Sequence, residues 1–534
     1  MWSSGVLIIA SLLAQTPPFS IGVEIPNQVP TAHAVQEALH DMGIDYVSYY
    51  VKPHGGSTDA LAVETNRPML QMVDRLGVSF TLGCYPVSPP ARCVQEARAF
   101  ARENDDVSGF DGVVFNEIMH CRLLNPHSPE LLGGGQAFDS FETAYETVLR
   151  DLRSLRTQTG VPCIATHFWP VLLHLSARAG FTVCPKICKE SFSPVSMAIA
   201  LGAALQYNTG LWADVDLWMF DMMPGHPPEE FESNLMLAYW LGVDRVYVEG
   251  VSHTLLEVGR QGGPISLVNT LRDDVYQLTA HGQVLRRFAT EYVPSHPRPW
   301  SFRDCIPQVA IVRFPDSDHG QSYLPIGFFK PYLYGSPELP PNADTEAWFA
   351  LWNLLTKGKT GRDGLTYFKP YFEPYGIGPN RIEGRMESLY SRPQLAEIHS
   401  FWVPLTGVVV YDHLVGYELL ADVPCIFVTG LTLSRPTFDA VMRRVEEGAL
   451  VVMWAPLAAR MGIDDFDGGL EVRDMGAGKL ILLDDFGHGD LRKYIWPYEG
   501  RPDEIRYRFG KHEMTLHRID DNRVRVEVSP PIVR

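Results

Sequence analysis

Residues 111–120 read Asp111-Gly-Val-Val-Phe-Asn-Glu-Ile-Met-His120, a short apolar run that ends abruptly in polar residues. The run at 112–115 predicts a buried parallel strand, so that Asn116 and Glu117 follow at its carboxyl end. In a (β/α)₈ barrel the loops at the carboxyl ends of the strands surround one mouth, where the chemistry is carried out. We therefore expect Glu117 to be a working carboxylate.

Seven further strand-like segments accompany this one, and a helical segment separates each strand from the next. The eight predicted strands are 20–25, 45–51, 78–83, 112–115, 162–166, 181–187, 213–220 and 245–248. Glycines end several of the helices, as is common where a helix turns back into a strand. This alternation predicts an α/β fold whose residues 19–293 form a (β/α)₈ TIM barrel. An open doubly wound sheet is the rival, but no glycine-rich phosphate motif follows the first strand.

The composition changes after the barrel. Residues 294–305 are rich in proline and aromatic residues, which predicts a linker. Strand and helix patterns alternate again in residues 306–490, which favours a smaller flavodoxin-like αβα domain. Residues 491–534 alternate between polar and apolar over short runs and predict a small segment of antiparallel strands.

The overall composition excludes several classes of function. The chain has 534 residues and a net charge of −18, which argues against nucleic acid as a partner. The eight cysteines are scattered without a CxxC motif, so we predict no zinc site and no disulfide scaffold. Nothing in the sequence requires a cofactor.

The N-terminus predicts export. An apolar run at 5–14 is followed by a proline-containing segment, and residues 1–18 resemble a secretory signal peptide. We expect a secreted or periplasmic protein, with a cytoplasmic enzyme as the alternative. No other run is long and apolar enough to span a bilayer, so we expect no membrane association once the leader is removed.

Asn116-Glu117, at the end of the fourth predicted strand, resembles the acid/base motif of the large clan of retaining (β/α)₈ glycoside hydrolases. The order of barrel, linker and αβα domain resembles β-galactosidase-type enzymes, whose barrel is followed by a glutamine-amidotransferase-like trimerisation domain. The resemblance implies that Asn116 binds the sugar 2-hydroxyl and that Glu117 protonates the leaving oxygen. Glycoside cleavage also needs a second carboxylate on the other face of the sugar ring.

The position of this second carboxylate departs from the family pattern. The family carries its nucleophilic Glu at the end of strand seven, whereas the seventh predicted strand is followed by Asp221 and the eighth by Glu249. We rank Glu249 first as the nucleophile and Asp221 second. Carboxyl groups about 5–5.5 Å apart imply retention and about 6.5–9.5 Å imply inversion, so retention here follows from the resemblance alone.

Other polar and aromatic residues fall near predicted strand ends, and such side chains hold sugars by stacking and hydrogen bonding. The predicted substrate-binding residues are Asn116, Glu24, Tyr50, His120, His167, Trp169, Lys186 and Asp221. For His167 a buried, satisfied histidine is an equal alternative. Lys186 is also a candidate countercharge for a uronic or sulfated sugar.

The second domain lacks the nucleophile that class I amidotransferases need in a strand-to-helix turn. The corresponding turn at 428–434 contains no cysteine, and Cys425 lies at the start of the preceding strand, where we expect it to be buried. This predicts a catalytically inactive domain used for packing or assembly. It also suggests a homo-oligomer, either a dimer or a trimer.

The leading hypothesis is a glycoside hydrolase that cleaves a β-linked oligo- or polysaccharide, with Glu117 as acid/base and Glu249 as nucleophile. One alternative is a catalytically inactive carbohydrate-binding barrel. Another is a metal-dependent barrel enzyme with His167, Asp221 and Glu249 as ligands. The metal hypothesis is disfavoured because no ordered ligand spacing such as HxH or HExxH is present.

Overall fold

The computed structural model describes residues 18–26, 33–51, 77–84, 109–116, 140–167, 172–188, 192–217, 227–249, 267–272, 275–314, 343–360 and 402–532. The predicted signal peptide and the loop predicted after residue 315 lie mostly outside these ranges. Within them, no helix combines the length and hydrophobicity that crossing a membrane requires.

Eight parallel strands close into a barrel, in the order in which they occur along the chain. The first strand pairs with the second and also with the eighth, which completes the ring. The strands are β1 Ser20–Pro26, β2 Tyr46–Val51, β3 Ser79–Cys84, β4 Phe110–Asn116, β5 Cys163–His167, β6 Thr182–Ile187, β7 Trp212–Val215 and β8 Arg245–Val248. The predicted TIM barrel is therefore confirmed and the open sheet is excluded.

Helices pack on the outside of the barrel. They are α1 His33–Asp41, α2 Phe141–Thr159, α3 Leu172–Arg178, α4 Ser193–Tyr207 and α5 Pro228–Trp240. The start of α2 is capped by Ser140, whose hydroxyl accepts a hydrogen bond from the Thr143 N–H. Its end is fixed by Gly160, which adopts a left-handed conformation with φ 66°. The predicted glycine stop is thus confirmed at this helix.

The barrel interior has an apolar floor, formed by Tyr46, Val114, Ile164, Cys184, Trp212 and Tyr247. Side chains alternate along a strand, so residues two positions further towards the mouth also point inward. These residues, which we call the polar layer, are Glu24, Ser48, Thr81, Asn116, Thr166, Lys186, Asp214 and Glu249, and all are buried. Each strand contributes one of them, so the barrel changes from apolar to polar towards its carboxyl end.

A hairpin and a helix follow the barrel. They are β9 Val268–Arg272, β10 Val275–Leu278 and α6 Ala280–Arg287, which continues through a π-helical turn at Phe288–Tyr292 into a last turn at Val293–Ser295. A 3₁₀ turn at Phe302–Asp304 then leads into β11 Cys305–Ile306. The hairpin was not predicted.

The segment predicted as a linker, 294–305, is packed against the barrel. Trp300 and Phe302 are buried. The buried Arg298 guanidinium donates hydrogen bonds to the backbone oxygens of Tyr239 and Val243, at the end of α5. The segment is irregular in backbone but belongs to the folded core.

The second domain contains a six-stranded sheet in the order β14-β12-β15-β16-β18-β17, parallel except for its last strand. The strands are β12 Val309–Arg313, β14 Val408–Asp412, β15 Cys425–Thr429, β16 Leu450–Trp454, β17 Leu470–Met475 and β18 Gly478–Leu483. The helices are α7 Ala343–Leu355, α8 Tyr417–Leu420, α9 Arg435–Glu446 and α10 Ala455–Arg460. The predicted smaller α/β domain is confirmed, although the β17–β18 hairpin was not predicted.

Cys425 has the position expected for a structural residue. It is fully buried at the start of β15, and burial raises the pKa of its thiol well above the usual range. The turn after β15 leads to Ser434, whose hydroxyl accepts a hydrogen bond from the Thr437 N–H and caps α9. This buried, protonated thiol is unsuited to nucleophilic chemistry.

The chain ends in a second, five-stranded sheet with the order β11-β19-β20-β21, in which β13 also pairs with β19. Its strands beyond β11 are β13 Leu405–Thr406, β19 Glu504–Phe509, β20 His512–Arg518 and β21 Val524–Ser529. A 3₁₀ turn at Gly489–Leu491 and α11 Arg492–Ile495 precede β19. The predicted C-terminal strands are present, but they form one sheet with strands from the predicted linker and the second domain.

The barrel and the second domain are in direct contact through α4. The Gln206 side-chain amide donates to Asp412 Oδ1 at 2.5 Å, and its oxygen accepts from the Asp412 N–H at 2.8 Å. The Tyr207 hydroxyl donates to the other carboxylate oxygen of Asp412. Gly202 lies so close to Val410 that a Cβ atom would come within 1.8 Å of its carbonyl oxygen. Helix α4 therefore covers the edge strand β14.

Candidate active site at the barrel mouth

A buried lysine and three carboxyl groups meet at the carboxyl ends of β6, β7 and β8. The Lys186 ammonium lies 2.5 Å from Glu249 Oε2 and 3.1 Å from Asp216 Oδ2. It is also 3.8 Å from Asp214 Oδ2. All four side chains are at least nine-tenths buried. The three carboxyl groups thus surround a single cation that solvent hardly reaches.

Asn116 connects this cluster with the opposite wall of the barrel, since β4 and β8 face each other across the ring. Its amide N–H points at Glu249 Oε1 over 3.5 Å, a long and weak contact. Its amide oxygen accepts a 2.7 Å hydrogen bond from the Thr166 hydroxyl. Thr166 therefore orients the amide so that its nitrogen faces Glu249.

The two oxygens of Glu249 are held differently. Oε2 has the short contact with the Lys186 ammonium, whereas Oε1 has a weak contact with Asn116. A charged hydrogen bond is roughly twice as strong as a neutral one. The contact with Lys186 therefore holds the Glu249 carboxylate more strongly than the contact with Asn116 does.

Asp214 differs electrostatically from its neighbours. Burial raises the pKa of its carboxyl well above the usual 3.8, the nearby Glu249 raises it further, and Lys186 offsets only part of this. Neither of its oxygens accepts a hydrogen bond from another described residue. A protonated Asp214 can instead donate one to Glu249, and this interaction also favours the protonated form. Burial and the neighbouring Glu249 therefore favour the protonated form of the Asp214 carboxyl.

The structure brings some of the predicted site residues together. Asn116 and Lys186 both contact Glu249. Glu24 belongs to the same polar layer. The side chain of Tyr50 is not among those described, although its backbone belongs to β2. The remaining predicted residues that lie outside the described ranges are Glu117, His120, Trp169 and Asp221.

His167 is placed away from this cluster. It is buried at the end of β5, and its Nε2 shares a 2.8 Å hydrogen bond with the Ser176 hydroxyl on α3. Because side chains alternate along β5, Thr166 faces the barrel interior and His167 faces the helical layer. His167 thus has the position of the buried, hydrogen-bonded histidine that was the alternative to a substrate contact, and Asp221 of the predicted metal set lies outside the described residues.

The countercharge role predicted for Lys186 would face competition from the protein's own carboxylates. Its side chain is only 1% exposed, and the ammonium already contacts the carboxylates of Glu249 and Asp216. An anionic sugar would have to compete with these two groups for the same cation. Lys186 thus serves the protein's own carboxylates.

Strand seven is shorter than predicted, and Asp221 lies outside the described residues. The prediction extended this strand over 213–220 and up to Asp221, but β7 ends at Val215. Its acidic residues at the mouth are Asp214 and Asp216, which were not predicted. Two aspartates spaced two apart in an apolar run were the available signal, because that spacing places both on one face of a strand. The count of eight strands is confirmed, so Glu249 does follow β8.

Asp214, Asp216 and Glu249 also satisfy one geometric condition for a metal site. One oxygen from each lies within 4.8 Å of the others. Carboxylate oxygens suit Mg²⁺, Ca²⁺ or Mn²⁺. The Lys186 ammonium, however, contacts all three groups, so a metal ion bound among them would have to displace it.

No protein-family model matches the sequence, and no curated protein matches it by sequence. An exo-β-1,4-mannosidase from an Opitutaceae bacterium is similar in structure, with 10% identity, a TM-score of 0.48, and coverage of 90% of this chain and 94% of that chain. A family 30 xylanase from Clostridium acetobutylicum has 11% identity and a TM-score of 0.33, covering 51% and 70%. A truncated 3-deoxy-D-arabino-heptulosonate 7-phosphate synthase from Thermotoga maritima has 11% identity and a TM-score of 0.30, covering 52% and 88%. At these identities, with TM-scores below 0.5, the similarities support no argument about activity.

Proposed function

We propose that this protein is a glycoside hydrolase that cleaves a β-linked glycan, with Glu117 as acid/base and Glu249 as nucleophile. The observation that carries the proposal is the contact of Asn116 with Glu249 across the barrel mouth. Glu117 directly follows Asn116 in the sequence. A carboxylate on each of two opposing walls is the arrangement that glycoside cleavage needs.

A retaining mechanism is proposed from the resemblance of Asn116-Glu117 to the acid/base motif of retaining enzymes. Retention needs carboxyl groups about 5–5.5 Å apart. In the first step Glu249 Oε1 attacks the anomeric carbon while Glu117 protonates the departing oxygen. In the second step Glu117 removes a proton from water, which attacks the anomeric carbon and releases Glu249.

Lys186 and Asp214 prepare Glu249 for this role. The ammonium at 2.5 Å favours the ionised carboxylate and fixes Oε2, which leaves Oε1 for the attack. In its protonated form, which burial favours, Asp214 can donate a hydrogen bond to Glu249 without adding a negative charge next to the nucleophile. Asn116, held by Thr166, can transfer its weak hydrogen bond from Glu249 to a sugar 2-hydroxyl.

The charges in the polar layer favour a neutral glycan. The layer and its rim contain Glu24, Asp216 and Glu249, and the Lys186 charge is already compensated by the last two. A uronic or sulfated sugar would add negative charge to this set. We propose a neutral oligo- or polysaccharide substrate, which also fits the export that residues 1–18 predict.

The second domain is proposed to be non-catalytic, since its Cys425 is buried.

The proposal is tested with a panel of neutral aryl β-glycosides. We expect hydrolysis by the wild type, and a loss of roughly 10³-fold or more in kcat for both Glu117→Gln and Glu249→Gln. A 2-fluoro-glycoside that traps the intermediate should attach to Glu249, as shown by peptide mass spectrometry. Binding of glycans without any turnover in the wild type would instead identify the inactive carbohydrate-binding barrel.

A metal-dependent barrel enzyme is the second candidate, favoured by the proximity of Asp214, Asp216 and Glu249. In that case a chelator should abolish activity, and Mg²⁺ or Mn²⁺ should restore it. Activity of the glycoside hydrolase should not change on chelation. Removing the competing cation with Lys186→Met should strengthen metal binding, which isothermal titration calorimetry measures directly.

A further inference from the structure

Strand β21 lies at an edge of the C-terminal sheet. It pairs with β20 along its whole length, and no other strand among the described residues pairs with its outer side. An edge of this kind presents unpaired backbone N–H and C=O groups to another chain. The nature of that chain can be argued from the side chains on the strand.

The sequence of β21 is self-complementary. Residues 524–528 read Val-Arg-Val-Glu-Val, with Val526 at the centre. If a second copy pairs antiparallel about a two-fold axis at Val526, Arg525 lies opposite Glu527 of the second copy, and Glu527 lies opposite its Arg525. Val524 and Val528 then lie opposite each other. Opposite charges facing each other across strands are stabilising, so this register satisfies both charges.

The two charges are available for such pairing. Arg525 and Glu527 are both exposed, and Arg525 forms no ion pair within the described part of the chain. Glu527 contacts the His517 imidazole on β20 at 3.1 Å and retains an exposed carboxylate. An isologous interface needs this kind of self-complementary patch.

The two edges of the six-stranded sheet are less suited to pairing. At the outer edge of the six-stranded sheet, Arg473 of β17 is already bound to Glu471 at 2.7 Å and to Asp465 at 2.8 Å. At the opposite edge of that sheet, β14 is covered by α4. Compared with these two edges, β21 combines an open side with the exposed charges of Arg525 and Glu527.

An apolar cavity of about 500 Å³ adjoins β21 and enlarges the surface that a second copy could contact. It lies between this strand and the barrel, and Val526, Val528, Pro531 and Ile532 contribute to its lining. Ile519, at the tip of the β20–β21 hairpin, is 57% exposed. In the two-fold arrangement this tip approaches Pro531 and Ile532 of the other copy. Strand pairing alone buries little area, whereas stable interfaces bury roughly 1,200–2,000 Å², so this apolar contact matters.

We propose that two copies of this chain form a two-fold symmetric dimer by antiparallel pairing of their β21 edges about Val526. The two C-terminal sheets then become one continuous sheet, with Arg525 of each copy facing Glu527 of the other. The dimer does not depend on the catalytic proposal, because the barrel mouth takes no part in it.

The test is a charge swap on the full chain, followed by sedimentation velocity over a concentration series. The wild type should sediment as a dimer of twice 59.9 kDa. Arg525→Glu and Glu527→Arg each place like charges opposite each other, and each should raise the dimer Kd by roughly tenfold or more. The double variant R525E/E527R restores opposite charges and should return the Kd to near the wild-type value.

Arg435→Glu is the matched control, since it makes the same change of charge at an exposed position on α9. It should leave the dimer Kd unchanged. A monomeric wild type at concentrations up to about 100 µM, or a trimer, would overturn the proposal. Single variants that remain as tightly dimeric as the wild type would overturn it as well, because the interface would then lie elsewhere.

Discussion

Lys186 Nζ lies 2.5 Å from Glu249 Oε2 at the centre of the barrel mouth, and the two side chains are 1% and 9% exposed. The same ammonium is 3.1 Å from Asp216 Oδ2. Burial of one cation between several carboxyl groups makes each group dependent on the others, because an uncompensated buried charge is costly. The Lys186–Glu249 pair therefore contributes both to the stability of the barrel and to the proposed chemistry.

Lys186→Met should destabilise the protein by about 3–5 kcal/mol, because it leaves Glu249 and Asp216 buried without their cation. Urea unfolding at neutral pH measures this change. Adding Asp216→Asn removes one of the two stranded charges and should recover part of the loss. Lys493→Met removes a lysine from an exposed pair with Asp490 and should change the stability little. Equal effects of K186M and K493M would contradict this account of the cluster.

Asp214→Asn should change the pH dependence of stability. The pKa of Asp214 is raised in the folded protein, so the native state holds a proton that the unfolded chain releases above about pH 4. Its contribution is fully present below the usual pKa of 3.8 and is lost as the pH rises through the folded value. Relative to the wild type, D214N should gain up to about 1.4 kcal/mol per pH unit in that window. Unfolding at pH 5 and pH 8 tests this, and a pH-independent difference would contradict it.

Local sequence patterns were sufficient to predict the barrel and the position of Glu249 after strand eight. The prediction for strand eight, 245–248, has the bounds that the structure shows for Arg245–Val248. Parallel strands buried on both faces are short apolar runs, and such runs can be recognised without knowledge of their partners. The repeated helix and strand units then determine the count of eight, which placed Glu249 at the mouth.

The partners of Lys186 could not be predicted in this way. Asp216 and Glu249 are 30 and 63 residues away along the chain, and pairing over such distances depends on the register of neighbouring strands. Because residues 213–220 are mostly apolar, they were read as one buried strand, and the inward orientation of Asp214 and Asp216 was not predicted. The packing of Trp300 was missed for a similar reason, since a proline-rich composition predicts irregular backbone but does not exclude burial.

Asn116→Ala should reduce kcat/KM by roughly 10²–10³-fold on a β-glycoside that carries a 2-hydroxyl, because hydrogen bonds to this group strengthen in the transition state. The loss should be much smaller on the matching 2-deoxy substrate, where that hydrogen bond does not exist. Thr166→Val removes the hydroxyl that orients the Asn116 amide and should produce an intermediate loss. The same loss of activity on both substrates would show that Asn116 acts through Glu249 or the fold instead.

Gly202→Ala should destabilise the contact between the barrel and the second domain by about 3 kcal/mol or more, because its Cβ would lie 1.8 Å from the Val410 carbonyl oxygen. Backbone on both sides leaves little room to relax, since α4 is held to β14 by the hydrogen bonds of Gln206 with Asp412. Thermal unfolding measures the effect. Gly489→Ala is the control, as no atom lies within 4 Å of the added Cβ there. A wild-type melting temperature for G202A would mean that α4 and β14 can separate freely, and the second domain would then not be a fixed support for the barrel.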